Sequence, residues 1–149
     1  MIYEPILRPA HILIVEDNPD DVDLTLEALR SAKLSVSISV VDDGMKALQF
    51  LKHTGEYANA TIPDLILLDL NLPKINGREV LTRIKADEDL RRIPVVILTT
   101  SNDEMDILAA YDSHANAYLT KPVDFQEFIK IVNMVEDFWL TLVKLPPRR

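Results

Sequence analysis

The chain has 149 residues, enough for one domain with a sizeable core and too few for two comfortable ones. It contains no cysteine, which excludes disulfides, thiolate metal centres and a cysteine nucleophile and fits a reducing cytoplasm. A net charge of -8 without a basic stripe argues against nucleic acid as a partner, and no apolar run approaches the ~20 residues of a membrane span.

In chain order, residues 1 to 10, with Pro5 and Pro9, form a lead-in without the features of a signal peptide. HILIVED then predicts a first strand over about residues 12 to 15, ending on Glu16 and Asp17. Asn18-Pro19 reads as a helix start, with Pro at the first helical position, Asp20 and Asp21 at the positive end of the dipole, and Val22, Leu26 and Leu29 at helical spacing. Val36, Ile38 and Val40 alternate with Ser37 and Ser39 as a second strand, closed by Asp42-Asp43-Gly44, and Met45, Leu48 and Leu51 open a second helix. Residues 53 to 63 make a polar loop longer than most connections.

That loop leads into residues 64 to 68, nearly all apolar, which have the composition of a strand buried on both faces and stop on Asp69. Asn71, Leu72-Pro73 and Gly77 form a tight polar turn before Val80, Leu81 and Ile84 resume a helical pattern. Pro94 opens VVILTTS, a fourth strand presenting Thr99, Thr100 and Ser101, and Ser101 with Glu104 fits a capping box for a fourth helix over about residues 102 to 114. Ala117-Tyr118-Leu119 is a short fifth strand ending at Thr120, Lys121 and Pro122, and Asp124 with Glu127 marks the start of the last helix. Five βα units without repeats or internal linkers predict an α/β domain, a parallel sheet with helices on both faces.

In such a sheet every strand points its carboxyl end to one edge, so Glu16, Asp17, Asp69, Thr99 and Lys121 converge although they are scattered in sequence. Taken singly, Asp69 reads as a loop cap, Lys121 as a surface ion-pair partner, Thr99 as a turn residue and Glu16-Asp17 as a solvated preface to a helix. Their coincidence at four strand ends favours a site. Three carboxylates in one crevice repel unless a cation or proton relieves them. An all-oxygen donor set selects a hard cation, and Mg2+ matches it better than Ca2+. Asp17 and Asp69 are the expected side-chain ligands, the Asn71 backbone carbonyl a further oxygen, and Glu16 a ligand through water. A phosphoryl group on Asp69 needs its remaining oxygens neutralised, for which Lys121 offers a point charge and Thr99 a hydroxyl donor. Asp69 is then the carboxylate nucleophile, modified to 4-aspartylphosphate.

These residues resemble the receiver domains of two-component response regulators. Glu16-Asp17 matches the family's acidic pair, Asp69 its phosphoacceptor, Thr99 its switch hydroxyl, Lys121-Pro122 its lysine and cis-proline-type turn, and Gly77, eight residues past Asp69, its glycine. The spacings of 30 residues from Asp69 to Thr99 and 52 to Lys121 also match, and the resemblance covers about residues 10 to 141. It implies a flavodoxin-like, doubly wound five-stranded parallel sheet of order 2-1-3-4-5 and a single receiver domain across residues 1 to 149. It also implies a sensor histidine kinase as phosphodonor, and a switch in which Thr99 and the fifth-strand aromatic, Tyr118, respond to the phosphoryl group. Tyr118 as a half-buried edge residue is the other reading. The loop at 53 to 63, the wording DLNLPKINGREVL and the LTTS strand end most resemble stand-alone receivers that serve cyanobacterial and bacterial phytochrome histidine kinases. Thr100 departs from the Ala common beside the site, and Asn71 and Ser101 bear on phosphoryl lifetime.

His11, His53 and His114 stand without a partner carboxylate motif and are read as surface or cap residues. The last helix is apolar over much of its circumference, with Phe128, Val132, Val135, Trp139 and Leu142 on one stripe and Ile131, Met134 and Phe138 on another. This predicts either a wide core face or a homodimer through the fourth helix, fifth strand and fifth helix. Two other functions remain in play: a phosphatase using an aspartyl-phosphate intermediate, and a receiver-shaped interaction module that is never phosphorylated. Against the first, Asp69 follows the third strand, and no acid stands two residues after it.

Overall fold

The computed structural model describes residues 10–31, 36–99, 114–115, 117–124, 126–128 and 130. Its strands are β1 (Ala10–Val15), β2 (Val36–Val41), β3 (Leu65–Asp69), β4 (Val95–Thr99) and β5 (Ala117–Thr120), and its α-helices are α1 (Pro19–Ser31), α2 (Gly44–Lys52) and α3 (Gly77–Ala86). All five strands run parallel in the order β2-β1-β3-β4-β5, as the resemblance implies. The expected fourth helix, the body of the last helix, Thr100 and Ser101 lie outside the described residues, and with them most of the expected self-association face.

Apolar residues occupy both faces of the inner strands because each strand is covered twice. Leu13, Val15, Ile66, Leu68, Val95 and Ile97 meet Ala47, Leu48, Phe50 and Leu51 of α2 and Val80, Leu81 and Ile84 of α3. Ile12, Ile14, Leu65, Leu67, Val96 and Leu98 meet Ala28 and Leu29 of α1 and Phe128. Complete burial of each such Leu or Ile contributes about 1.5–3 kcal/mol, so the sheet edge that carries the polar residues stands on a rigid base. β3, buried at all five positions, is the centre of it.

Helix starts follow the capping chemistry of the sequence. The Asn18 side chain accepts from the backbone N–H of Asp20 at 2.9 Å and of Asp21 at 3.3 Å, with Pro19 as the first helical residue. Asp43 caps α2 through Lys46 N–H at 2.7 Å, and Asn76 caps α3 through Glu79 N–H at 3.0 Å. His53 closes α2 in the left-handed region at φ 58°, a cap role as expected. Asp124 accepts from Gln126 N–H at 3.3 Å where the last helix begins.

One expectation is corrected, that for His11, and two apolar positions lie at the surface. Val40 is 43% exposed and Met45 44% exposed, because β2 is an edge strand and α2 turns Ala47, Leu48, Phe50 and Leu51 inward instead. His11 is neither a surface nor a cap residue. It is buried, with Nδ1 at 2.6 Å from the Ser37 hydroxyl and Nε2 at 3.0 Å from that of Ser39, and its ring stacks on Phe50 at a centroid distance of 6.3 Å. The hydroxyls of Ser37, itself exposed, and Ser39 thus satisfy a buried imidazole. His114, exposed at φ 69°, fits its surface reading.

Candidate functional site

Register delivers the acids to one place. Val15 pairs with Leu68 and Asp69 with Leu98, so Glu16, the residue after β1, stands beside Asp69, the last residue of β3. Glu16 N–H continues the edge by donating to Val41 O at 3.0 Å. The Glu16 and Asp69 side chains are 2% and 4% exposed, while Asp17 is exposed. One carboxylate oxygen from each of Glu16, Asp17 and Asp69 lies within 4.8 Å of the others.

The lysine arrives from the other end of the sheet. Thr99 pairs with Thr120, and the chain turns at Lys121 through a cis Lys121-Pro122 peptide. The Lys121 side chain is 7% exposed, and Nζ donates to Glu16 Oε1 at 2.5 Å and to Asp21 Oδ2 at 3.0 Å and lies 3.3 Å from Asp69 Oδ2. Burial alone would lower this ammonium, but its hydrogen bonds to Glu16 and Asp21 and the charge of Asp69 outweigh that and hold it above the ordinary lysine value. It therefore stays charged throughout the neutral range. Thr99 is placed by register at the same edge, one residue past the partner of Asp69; its side chain lies outside the described part of the structure.

The loop after β3 is fixed at both ends. Asn71 N–H donates to Asp69 Oδ1 at 3.2 Å, and Gly77 N–H to Leu70 O at 2.9 Å. A Cβ on Gly77 would lie 2.2 Å from Asp69 O, so only glycine lets α3 start this close to the strand end. On the far side the loop rests on α2: a Cβ on Gly44 would lie 1.9 Å from Ile75 O, and Lys74 pairs with Asp43 at 3.8 Å. Asn71, Asn76 and Arg78 line a small cavity of about 220 Å³ beside Leu70. Tyr118 is half-buried against the α2–α3 side of the core.

The structure thus brings together Glu16, Asp17, Asp69 and Lys121, with Asn71 next to them. Sequence reasoning missed Asp21, assigning it only to the helix dipole. The signal was its position four residues after Asp17, one helical turn into a helix whose start Pro19 sets.

Four carboxylates against one ammonium leave the crevice strongly negative. The donor set is all oxygen, which fits a hard divalent cation. Burial pushes the Glu16 carboxyl up from 4.5 to about 7, the charge of Asp69 adds to that, and the Lys121 hydrogen bond opposes it. A carboxyl whose folded value exceeds its unfolded one favours the folded state at low pH, and this contribution is lost as pH rises through about 7. A cation needs the ionised acid, so divalent-cation affinity is expected to rise about tenfold between pH 6 and pH 8. Titration calorimetry at the two pH values checks this, and an affinity flat across that interval contradicts the assignment of Glu16.

Known proteins are similar to this chain in sequence and fold. The response regulator receiver domain family matches residues 12–133. Response regulator Rcp1 of Synechocystis sp. is 49% identical over 138 residues, covering 93% of this chain and 94% of Rcp1. The crystal structure of the Mn2+-bound form of Rcp1 superposes with a TM-score of 0.75 at 48% identity, over 93% of this chain and all of that one. That of the phosphorylated cyanobacterial phytochrome response regulator RcpA gives 0.76 at 49% identity, over 94% of this chain and all of that one. The bacteriophytochrome response regulator RtBRR gives 0.82 at 43% identity, over 94% and 86% of the two chains. With the matched segment spanning all of the sheet but Ala10 and His11, and every residue of the acid and lysine cluster, the chain belongs to the response regulator receiver domain family.

Proposed function

We propose that this receiver takes a phosphoryl group from the phosphohistidine of a sensor kinase onto Asp69 in a Mg2+-dependent step and signals through altered protein contacts. The observation that carries this is the Lys121 ammonium 3.3 Å from Asp69 Oδ2 inside a cluster of acids. An Asp69 carboxylate oxygen attacks phosphorus as the P–N bond of the donor breaks, and the departing imidazole keeps the electron pair and takes up a proton. Asp69 is held for this by the Asn71 N–H on Oδ1, while Lys121 balances charge at Oδ2. The Asp17 and Asp69 side chains, the Asn71 carbonyl and, through water, Glu16 would hold Mg2+, whose charge would neutralise the transferring oxygens. Thr99 donates its hydroxyl to the phosphoryl group, and Tyr118 follows it as the switch aromatic.

Rcp1 and RcpA, at 49% identity each, and RtBRR support a phytochrome histidine kinase as the phosphodonor, since two of the three structures are described as phytochrome response regulators. Neither a phosphatase nor an inert module is better supported. Acetyl phosphate with Mg2+ is expected to add one phosphoryl group to the wild type and none to Asp69→Asn, read by intact mass. Equal labelling of both moves the acceptor elsewhere. No labelling, with no response to beryllofluoride, favours the module that is never phosphorylated.

A further inference from the structure

Lys121 has three carboxylate neighbours, and they are not equivalent. Glu16 and Asp69 also belong to the set of acids whose oxygens converge within 4.8 Å, together with Asp17. Asp21 does not. It sits in the first turn of α1, its side chain 23% exposed, its own N–H held by Asn18 Oδ1, and it accepts from Lys121 Nζ at 3.0 Å. Whatever cation or phosphoryl group enters the crevice draws on the first two carboxylates and leaves the third to the lysine.

We propose that Asp21 is a positioning residue for phosphoryl transfer: it anchors the Lys121 ammonium at Asp69 while Glu16 and Asp69 are engaged by the cation and the incoming group. The inference rests on Asp69 being the phosphoacceptor. A lysine ammonium is a point charge on a flexible four-carbon stem with three donors, and nothing in its own shape fixes it. Glu16 also accepts from it, but a carboxylate turned toward a divalent cation is a weaker acceptor for it. Asp21, fixed to the start of a capped helix, supplies an anchor that loading does not remove. Misplacing a charged group by about 1 Å costs up to roughly 100-fold in rate, so loss of one of two anchors has a measurable cost.

Asp20 provides the control. It lies in the same helical turn and carries the same charge toward the dipole, but it is exposed and makes no ion pair among the described residues. The full chain is compared as wild type, Asp21→Ala, Asp21→Asn, Asp21→Glu and Asp20→Asn. Phosphorylation by acetyl phosphate is followed by intact mass at saturating Mg2+, so that a change in cation affinity does not enter. Asp21→Ala is expected to slow uptake about tenfold, Asp21→Asn less because its carbonyl still accepts a hydrogen bond, and Asp21→Glu to recover part of the loss. Asp20→Asn is expected to stay within about twofold of wild type.

A second readout does not depend on phosphorylation. With Mg2+ and beryllofluoride bound, the Lys121 ammonium, assigned through Lys121→Arg, is expected to give a slowly exchanging proton–nitrogen NMR signal in wild type and Asp20→Asn and to lose it in Asp21→Ala. Wild-type rate or an unchanged ammonium signal in Asp21→Ala overturns the proposal, as does an Asp20→Asn variant that slows equally. Wild type that takes up no phosphoryl group overturns the phosphoacceptor reading and this inference with it, whereas labelled wild type with equally labelled Asp21→Ala overturns this inference alone.

Discussion

Lys121→Met is expected to slow phosphoryl uptake by about 100-fold, the scale on which loss of a preorganised charge at a transferring group acts. The same substitution is expected to destabilise the metal-free protein at pH 8 by about 3 kcal/mol, because it leaves the buried Glu16 and Asp69 carboxylates facing each other without a counter-ion. Methionine keeps most of the stem, so packing changes little. The pH dependence identifies the cause. Glu16 takes up a proton near pH 7 in the folded protein against 4.5 ordinarily, and losing the lysine pushes it higher still. Lowering the pH to 6 therefore neutralises one of the stranded charges, and the deficit shrinks. Urea denaturation at pH 6 and pH 8 without metal reads both numbers. Equal stability of variant and wild type at pH 8 would mean that the carboxylates escape into water.

Gly77→Ala is the second large effect, and it acts through backbone. The added methyl would lie 2.2 Å from Asp69 O and 2.6 Å from Leu70 Cα, neither of which can rotate away. Overpacking against side chains costs about 1–3 kcal/mol; against backbone that already donates and accepts in place, the expected cost is at or above the top of that range. The segment forced to move is the one carrying Asp69, so divalent-cation affinity is expected to fall about tenfold as well. Thermal unfolding and calorimetric titration with Mn2+ check the two parts. An unchanged melting temperature contradicts the close approach of α3 to the end of β3.

Much of this was legible in the chain. The apolar runs at residues 12 to 15 and 64 to 68 are strands because both faces are covered, and their terminal acids had nowhere to go except the carboxyl edge. Asn18-Pro19 marked a helix start through chemistry local to a few residues, whereas Asp43 and Asn76 emerge as caps only in the structure. What was not legible depends on packing between elements. Alternation in β2 did not reveal that the strand is an edge with Val40 at the surface, nor that Ser37 and Ser39 hold His11. Helical spacing put Met45 on the α2 stripe, but the direction of the core is set by where α3 lies. Asp21 was missed because its partner is 100 residues away and reaches it only after β5 closes the sheet. The same distance in sequence is why Lys121 could be placed at the site only by topology.

The claim on which the rest depends is that the crevice directs a phosphoryl group to one carboxylate among four. Borohydride reduction of the phosphorylated chain, followed by peptide mapping, reports the acceptor directly, because an aspartyl phosphate is converted to homoserine where it stood. Conversion at Asp69 alone is the expected result. Conversion at Asp17, Asp21 or Glu16, with Asp69 unchanged, would contradict it.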